Sequence, residues 1–157
     1  MSRAAFHAAA VLSAILLGAA ALRAQPASDG VATAGGLTAY LGVIPGEIVK
    51  GHPSTHPEGA MHGGAATGAH EYHVVVAIFD AVSGARMSDA TVTAKVSGLA
   101  LSGSEKALEP MAIADTVTYG GFFELPGADF YTVRVTVKRP GSQAPIVLEF
   151  RYDHRAR

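Results

Sequence analysis

A strict alternation of apolar and polar residues is the feature of this 157-residue sequence that most restricts its fold. In residues 90–98, three apolar side chains share one side and polar side chains occupy the other. Residues 131–138 and 146–152 alternate in the same way. Because successive side chains of a strand point to opposite faces, this period predicts half-buried antiparallel β-strands. No stretch after residue 24 has a helical period, so the sequence predicts an all-β fold.

Residues 72–80 differ from these stretches because they are apolar on both faces, which favours a central strand. Weaker strand candidates are residues 37–44, 111–119 and 121–125. Turn-forming pairs separate these segments, namely Ser83-Gly84, Ser102-Gly103, Gly120-Gly121, Pro126-Gly127 and Pro140-Gly141. Six to seven short strands with frequent turns are typical of an immunoglobulin-like antiparallel β-sandwich, and a small barrel is the alternative.

The N-terminal residues have the order of a secretory signal peptide, with Arg3 followed by an apolar stretch at residues 8–17 and then small residues. We predict residues 1–24 as a cleaved signal peptide. A cut after Ala21 and an uncleaved anchor are the alternatives. The apolar stretch is shorter than the roughly 20 residues of a membrane span, so no span is expected after cleavage. The mature protein is therefore predicted to be periplasmic or secreted.

Composition divides the rest of the chain into two parts. Residues 25–36 are predicted as a flexible leader, and residues 37–157 as one β-sandwich domain that is long enough for its own core. Within that domain, residues 45–70 are rich in glycine, proline and histidine and are predicted as a long loop. A loop of this length inside a compact domain is typically functional or disordered.

Charge and cysteine content exclude several classes of function. The chain has 12 Lys and Arg against 13 Asp and Glu, without the clustered positive charge that binds nucleic acid. It has no cysteine, which rules out disulfides, thiol catalysis, iron–sulfur clusters and cysteine-ligated copper centres. The sequence also lacks the nucleophile-elbow, phosphate-loop and His-Glu-x-x-His motifs, so we do not expect an enzyme.

The histidines are concentrated between residues 52 and 73 and are the main candidates for metal ligands. The predicted ligands are His52, His56, Met61, His62, His70 and His73. Imidazoles bind copper, zinc and nickel, and the thioether beside His62 favours Cu(I), so copper is the predicted metal. Pro53 and Pro57 prevent a helix in this segment. Any site must therefore form by closure of a loop, with His73 anchored on a strand.

Other interpretations of these residues remain open from the sequence. The segment is equally well explained as a solvated loop, and a pH-responsive histidine cluster is a third explanation. His73 fits a core or interface position as well as it fits a ligand. Met87 and Met111 fit positions in the core, and His154 fits the surface.

Two longer stretches resemble exported immunoglobulin-like modules of the FixH/YtkA-like kind. Residues 73–96, HVVVAIFDAVSGARMSDATVTAKV, are similar to the opening hairpin of those modules. Residues 119–137, YGGFFELPGADFYTVRVTV, are similar to their Gly–aromatic strand, Pro-Gly turn and later alternating strand. The resemblance implies an exported β-sandwich, and related exported sandwiches bind copper or iron through His and Met near strand ends. It implies no particular ligand positions, because the chain matches no diagnostic metal motif of those families.

Two functions are predicted from these features. The first is a small exported metal-binding protein that holds copper through the His-rich loop and acts in sequestration or delivery. The second is a metal-independent envelope module. In that case the doubly apolar strand at residues 72–80 would contact a partner protein or a second copy of the chain.

Overall fold

The computed structural model describes residues 30–50, 68–99, 101–103, 105–113 and 115–155. These residues form eight strands and one short helix. In chain order they are β1 (Val31–Ala34), β2 (Leu37–Pro45), α1 (Gly46–Lys50), β3 (Glu71–Asp80), β4 (Thr91–Ser97), β5 (Glu105–Ile113), β6 (Thr116–Glu124), β7 (Phe130–Lys138) and β8 (Ile146–Asp153). The predicted signal peptide, residues 1–24, lies outside the described residues.

All strand pairs are antiparallel, and the strand order is β1-β2-β3-β6-β5-β4-β7-β8. The two outermost strands, β1 and β8, come back into contact at one end of the sheet. There the Arg139 Nη2 atom donates a hydrogen bond to the Gly35 carbonyl at 2.7 Å. The result is a nearly closed, barrel-like sheet, which confirms the all-β antiparallel prediction and lies closer to the barrel alternative.

The predicted count of six to seven strands is wrong, because the described part of the chain contains eight. Residues 31–34, predicted as part of the leader, pair with residues 37–40 as β1. Residues 105–110 also join a strand, although glutamate and proline lower their intrinsic β-propensity. The weak candidate at residues 111–119 divides into the end of β5 and the start of β6, with Asp115 at a positive φ of 62° between them.

β5 changes its pairing partner halfway along its length. Residues 105–108 pair with β4, whereas residues 109–113 pair with β6. A strand that passes from one half of a sheet to the other forms a corner, and this lets the sheet fold over on itself. β5 therefore joins the half that contains β3 to the half that contains β7.

The core lies inside the curved sheet and is built from the alternating positions that the sequence predicts. Its members include Val74, Val76, Ile78, Val92, Ala94, Val96, Val133, Val135, Val137, Leu148 and Phe150, each at most 2% exposed. Full burial of a side chain of this size stabilises the fold by about 1.5–3 kcal/mol relative to exposure. The alternation of β4, β7 and β8 thus determines which face of each strand turns inward.

Helix α1 lies against β2 and β3. Val49 is buried, whereas Ile48 on the same single turn is half exposed. The predicted loop at residues 45–70 therefore begins with a helical turn, which is too short to show a helical period in sequence. Among the described residues, no helix is long and apolar enough to cross a membrane.

Gly103 offers a test of the turn between β4 and β5. Its φ is +59°, and a Cβ there would lie 1.8 Å from the Val96 carbonyl oxygen. Gly103→Ala is expected to lower the free energy of unfolding by at least about 2 kcal/mol more than Gly141→Ala, because backbone atoms must move. Gly141 has a φ of +72° with no atom within 4 Å, so its alanine variant measures the cost of the left-handed conformation alone, about 1–2 kcal/mol. Urea unfolding of both variants measures the difference, and equal losses would contradict this account of the turn.

Candidate metal centre

One end of the sheet collects the histidines that the structure describes. The registers Pro45↔Tyr72, Glu71↔Glu124 and Phe130↔Asp153 bring the ends of five strands together there. The chain leaves this end at Lys50 and is next described at Gly68. The predicted ligands His52, His56, Met61 and His62 belong to the intervening segment and lie outside the described residues. Both boundaries of that segment thus lie at the same end as His70, His73 and His154.

His73 is fully buried, but its side chain does not belong to the main core. The neighbouring Val74 points inward, so alternation along β3 turns His73 to the outer face of the sheet. There the imidazole stacks on Phe122 of β6, with ring centroids 4.8 Å apart and an interplanar angle of 29°. The predicted anchoring of His73 on a strand is therefore what the structure shows, on a face separate from the core.

Gly120 of β6 leaves an open position that two side chains approach. A Cβ at Gly120 would lie 2.6 Å from His73 Nε2, 2.6 Å from Met111 Cε and 3.0 Å from Met111 Sδ. The imidazole nitrogen and the thioether sulfur thus lie within 5.6 Å of each other, the sum of their two distances from that point. Met111 is only 1% exposed. The absence of a side chain at Gly120 allows these two groups to meet.

Met111 was not among the predicted ligands, because the sequence suggested a core residue. It is buried, as expected for such a residue, but its cross-strand partner is Thr118, on the outer face that also carries Gly120. One sequence signal pointed to this site: two consecutive glycines between strand residues, which often mark a close approach in a sheet. The pair Gly120-Gly121, predicted as a turn, lies within β6.

His70 has an exposed side chain in the turn before β3, and its carbonyl accepts a hydrogen bond from the Leu125 amide at 2.9 Å. The adjacent Glu71 faces Glu124 across the β3–β6 pair. Within the ranges that the structure describes, no three His, Asp or Glu side chains are grouped closely enough to hold a metal ion. Among the described residues, Met111 provides a soft thioether sulfur near His73.

His154 lies on the inner side of the same end and is only 8% exposed, so the expectation of a surface position is wrong. The rings of Tyr72, Tyr131 and Tyr152 surround it, with centroids 4.7, 5.9 and 5.7 Å from its own. Its backbone amide donates to the Asp129 carbonyl at 3.0 Å. His154 directly follows β8 and turns inward over the end of the sheet, which is why its side chain is buried. Because it lies beyond the last strand, the period of two makes no prediction about its burial.

Two arginines stack on Phe130 beside this end. The guanidinium carbons of Arg151 and Arg155 lie 3.9 and 3.7 Å from the ring centroid. Arg155 also donates from Nε and Nη2 to the two Asp153 carboxylate oxygens, each at 3.0 Å. These hydrogen bonds, with one from the Arg155 amide, lower the pKa of Asp153 from 3.8 to about 2. The carboxylate therefore stays ionised and paired at neutral pH.

No protein-family model matches the sequence, and no curated protein matches it at a significant level. Several solved structures have a similar fold. A DUF4426 family protein from Pseudomonas aeruginosa is 16% identical with a TM-score of 0.56, over 78% of this chain and 91% of that protein. A copper-bound variant of FetP from uropathogenic Escherichia coli is 14% identical with a TM-score of 0.56, over 79% and 94%. FetP as isolated after periplasmic expression is 15% identical with the same TM-score, over 83% and 97%. At such identities the likeness shows a shared fold.

The pairing at Asp153 leads to a testable pH dependence. Because its pKa is lower in the folded state than in the unfolded chain, its contribution to stability is present above about pH 4 and is lost as the pH falls toward 2. Arg155→Gln removes the largest cause, so the pKa of Asp153 should rise toward 3.8. Carbon-13 NMR of the carboxyl group between about pH 1 and 5 measures this. Arg134→Gln, which breaks the exposed pair with Glu149, should leave the pKa of Asp153 unchanged. An Asp153 pKa still near 2 in Arg155→Gln would contradict this explanation.

Proposed function

We propose that this protein is an exported, periplasmic metal-binding protein that holds copper and acts in its sequestration or delivery. The observation that carries the proposal is the position of His73, a fully buried imidazole on the outer face of the sheet. It lies at the end where the chain enters and leaves the His-rich segment 51–67. The fold shared with copper-bound FetP supports the same assignment.

The environment of His73 favours ligand binding over a purely structural role. Packing on Phe122 and its place on β3 fix the ring, so little conformational freedom is lost when a metal binds. Donors from a glycine-rich segment cost about 1–2 kcal/mol per ordered residue, which metal bonds can offset. One fixed donor, next in sequence to a glycine-rich segment that carries further imidazoles, therefore suits a protein that must both take up and release an ion.

The chemistry of the donors favours copper among the transition metals. Nitrogen from imidazole and sulfur from thioether suit copper, whereas hard ions such as Mg²⁺ prefer oxygen ligands. The chain has no cysteine, so copper would be held without a thiolate and without a blue-copper centre. When bound, copper would supply only its own affinity for these ligands, and the proposal includes no redox reaction by the protein.

Export is proposed from the sequence of residues 1–24, with its basic start, apolar stretch and small residues before the cut. The absence of cysteine means that stability in an oxidising compartment relies on the buried core, which the fold provides. An extracytoplasmic copper protein with exposed imidazoles, such as that of His70, could acquire the ion directly from its surroundings.

A copper titration of the wild type and of the triple variant His62/His70/His73→Ala tests the proposal. The wild type is expected to bind about one copper ion per chain, and the triple variant should bind at least about tenfold more weakly, because imidazole donors are removed. Copper should also raise the melting temperature of the wild type alone. Circular dichroism shows whether the triple variant keeps the fold. Equal copper affinity of the wild type and the triple variant would exclude the proposal.

A second candidate function is a metal-independent interaction module of the envelope. The outer face of the sheet favours it, because Tyr40 is 48% exposed beside the half-buried Phe79, with ring centroids 5.6 Å apart. This apolar surface explains why residues 72–80 are apolar on both faces. A partner protein or a second copy of the chain would cover it.

Size-exclusion chromatography with and without EDTA separates the two functions. A metal-independent module should elute as an assembly that the chelator does not change, and Tyr40→Lys should shift it toward the monomer because a charge enters the apolar surface. Lys138→Ala, another exposed strand position, is the control and should have no effect. A monomer under all conditions would count against self-association, and an EDTA-dependent change would favour the metal-binding function.

A further inference from the structure

We infer that His73 and Met111 form a buried binding position for Cu(I), in the space that Gly120 leaves open. The inference rests on the proposed function and deepens it, since it names the oxidation state of the ion and two residues that hold it. Three adjacent elements contribute: β3 supplies the imidazole, β6 supplies the gap and β5 supplies the thioether.

The glycine at position 120 is difficult to explain by the sheet alone. Glycine in a strand interior weakens the strand, because it adds conformational entropy to the unfolded chain and gives no side chain to pack. A Cβ at this position would lie 2.6 Å from both His73 Nε2 and Met111 Cε. Real Cβ atoms almost never approach other atoms below 3.0 Å, so any other residue would push one of the two groups away. Gly120 therefore acts as a positioning residue for the nitrogen and the sulfur.

The distances are compatible with a shared ion. Metal–nitrogen and metal–sulfur bonds of about 2.0–2.3 Å place the two donors at most about 4.3 Å apart around one ion. In the structure Nε2 and Sδ lie within 5.6 Å of each other. The imidazole is fixed by its stacking on Phe122, whereas the methionine side chain has three rotatable bonds. A rotation within Met111 is thus sufficient to bring the sulfur into bonding distance.

The types of donor at this position select Cu(I) over divalent ions. A thioether is a soft ligand that favours Cu(I), whereas Cu(II) and Zn(II) bind well to nitrogen and oxygen donors alone. His73 is 0% and Met111 1% exposed, so an ion between them is removed from water. The buried pair therefore discriminates by the softness of its sulfur donor.

The test measures Cu(I) and Cu(II) affinities separately in the wild type and in variants of Met111, Met87 and Gly120. Cu(I) affinity is obtained anaerobically, by competition with a chromophoric Cu(I) chelator, and Cu(II) affinity by competition in air. Met111→Leu removes the sulfur but keeps a similar volume. Met87→Leu is the matched control, because Met87 is a partly buried methionine whose backbone groups bond to Ile78 and Tyr119. X-ray absorption at the copper edge shows directly whether sulfur is a ligand.

Met111→Leu is expected to weaken Cu(I) binding at least about tenfold, to leave Cu(II) binding unchanged and to remove the sulfur scattering of the wild type. Met87→Leu should match the wild type in all three measurements. Gly120→Ala should also weaken Cu(I) binding, and its melting temperature shows whether the fold is kept.

The experiment distinguishes failure of the His73–Met111 position from failure of the proposed function. If Met111→Leu binds Cu(I) as tightly as the wild type, or if no copper–sulfur scattering is found, the His73–Met111 position is refuted while a histidine-based copper site still stands. If the wild type binds copper in neither oxidation state, both this inference and the proposed function are refuted.

Discussion

The antiparallel register between β3 and β6 fixes the geometry on which the proposed copper position depends. It places His73 opposite Phe122 and beside Gly120 on the outer face of the sheet. Because side chains alternate along a strand, a shift of one residue would turn His73 inward and expose Val74 in its place. The inward-facing valines and isoleucine of β3 oppose that shift, since their burial would be lost. Core packing on one face thus fixes the position of His73 on the other.

The change of partner along β5 connects the shape of the barrel with the chemistry of the site. Residues 105–108 follow β4, and residues 109–113 then follow β6. The corner that results brings the two halves of the sheet into a nearly closed barrel, and it also sets Met111 beside Gly120. Both proposed donors therefore lie on strands that the core holds in place, and side chains on strands are positioned more precisely than side chains on loops.

The sequence predicted strand positions correctly where a strand shows clear alternation of apolar and polar neighbours. The alternation of residues 90–98, 131–138 and 146–152 gave three strands and their buried faces, because period two depends only on neighbouring side chains. The short strand at residues 31–34 and the helical turn at residues 46–50 carry too few residues for a period to appear. β5 was missed over residues 105–110 because glutamate and proline obscured it, and pairing on both sides overrode their propensity.

The candidate site also has some features that the sequence predicted and others that only the structure shows. The sequence by itself determined a cysteine-free, alternating β-protein with a dense histidine segment, and it predicted that His73 lies on a strand. Only the tertiary structure decided that His73 faces away from the core, that His154 is enclosed by tyrosines and that Met111 and His73 both approach Gly120. The physical reason is that composition and period are properties of short stretches of chain. A contact between β3, β5 and β6 depends instead on register and strand order, which only the packing of the complete sheet determines.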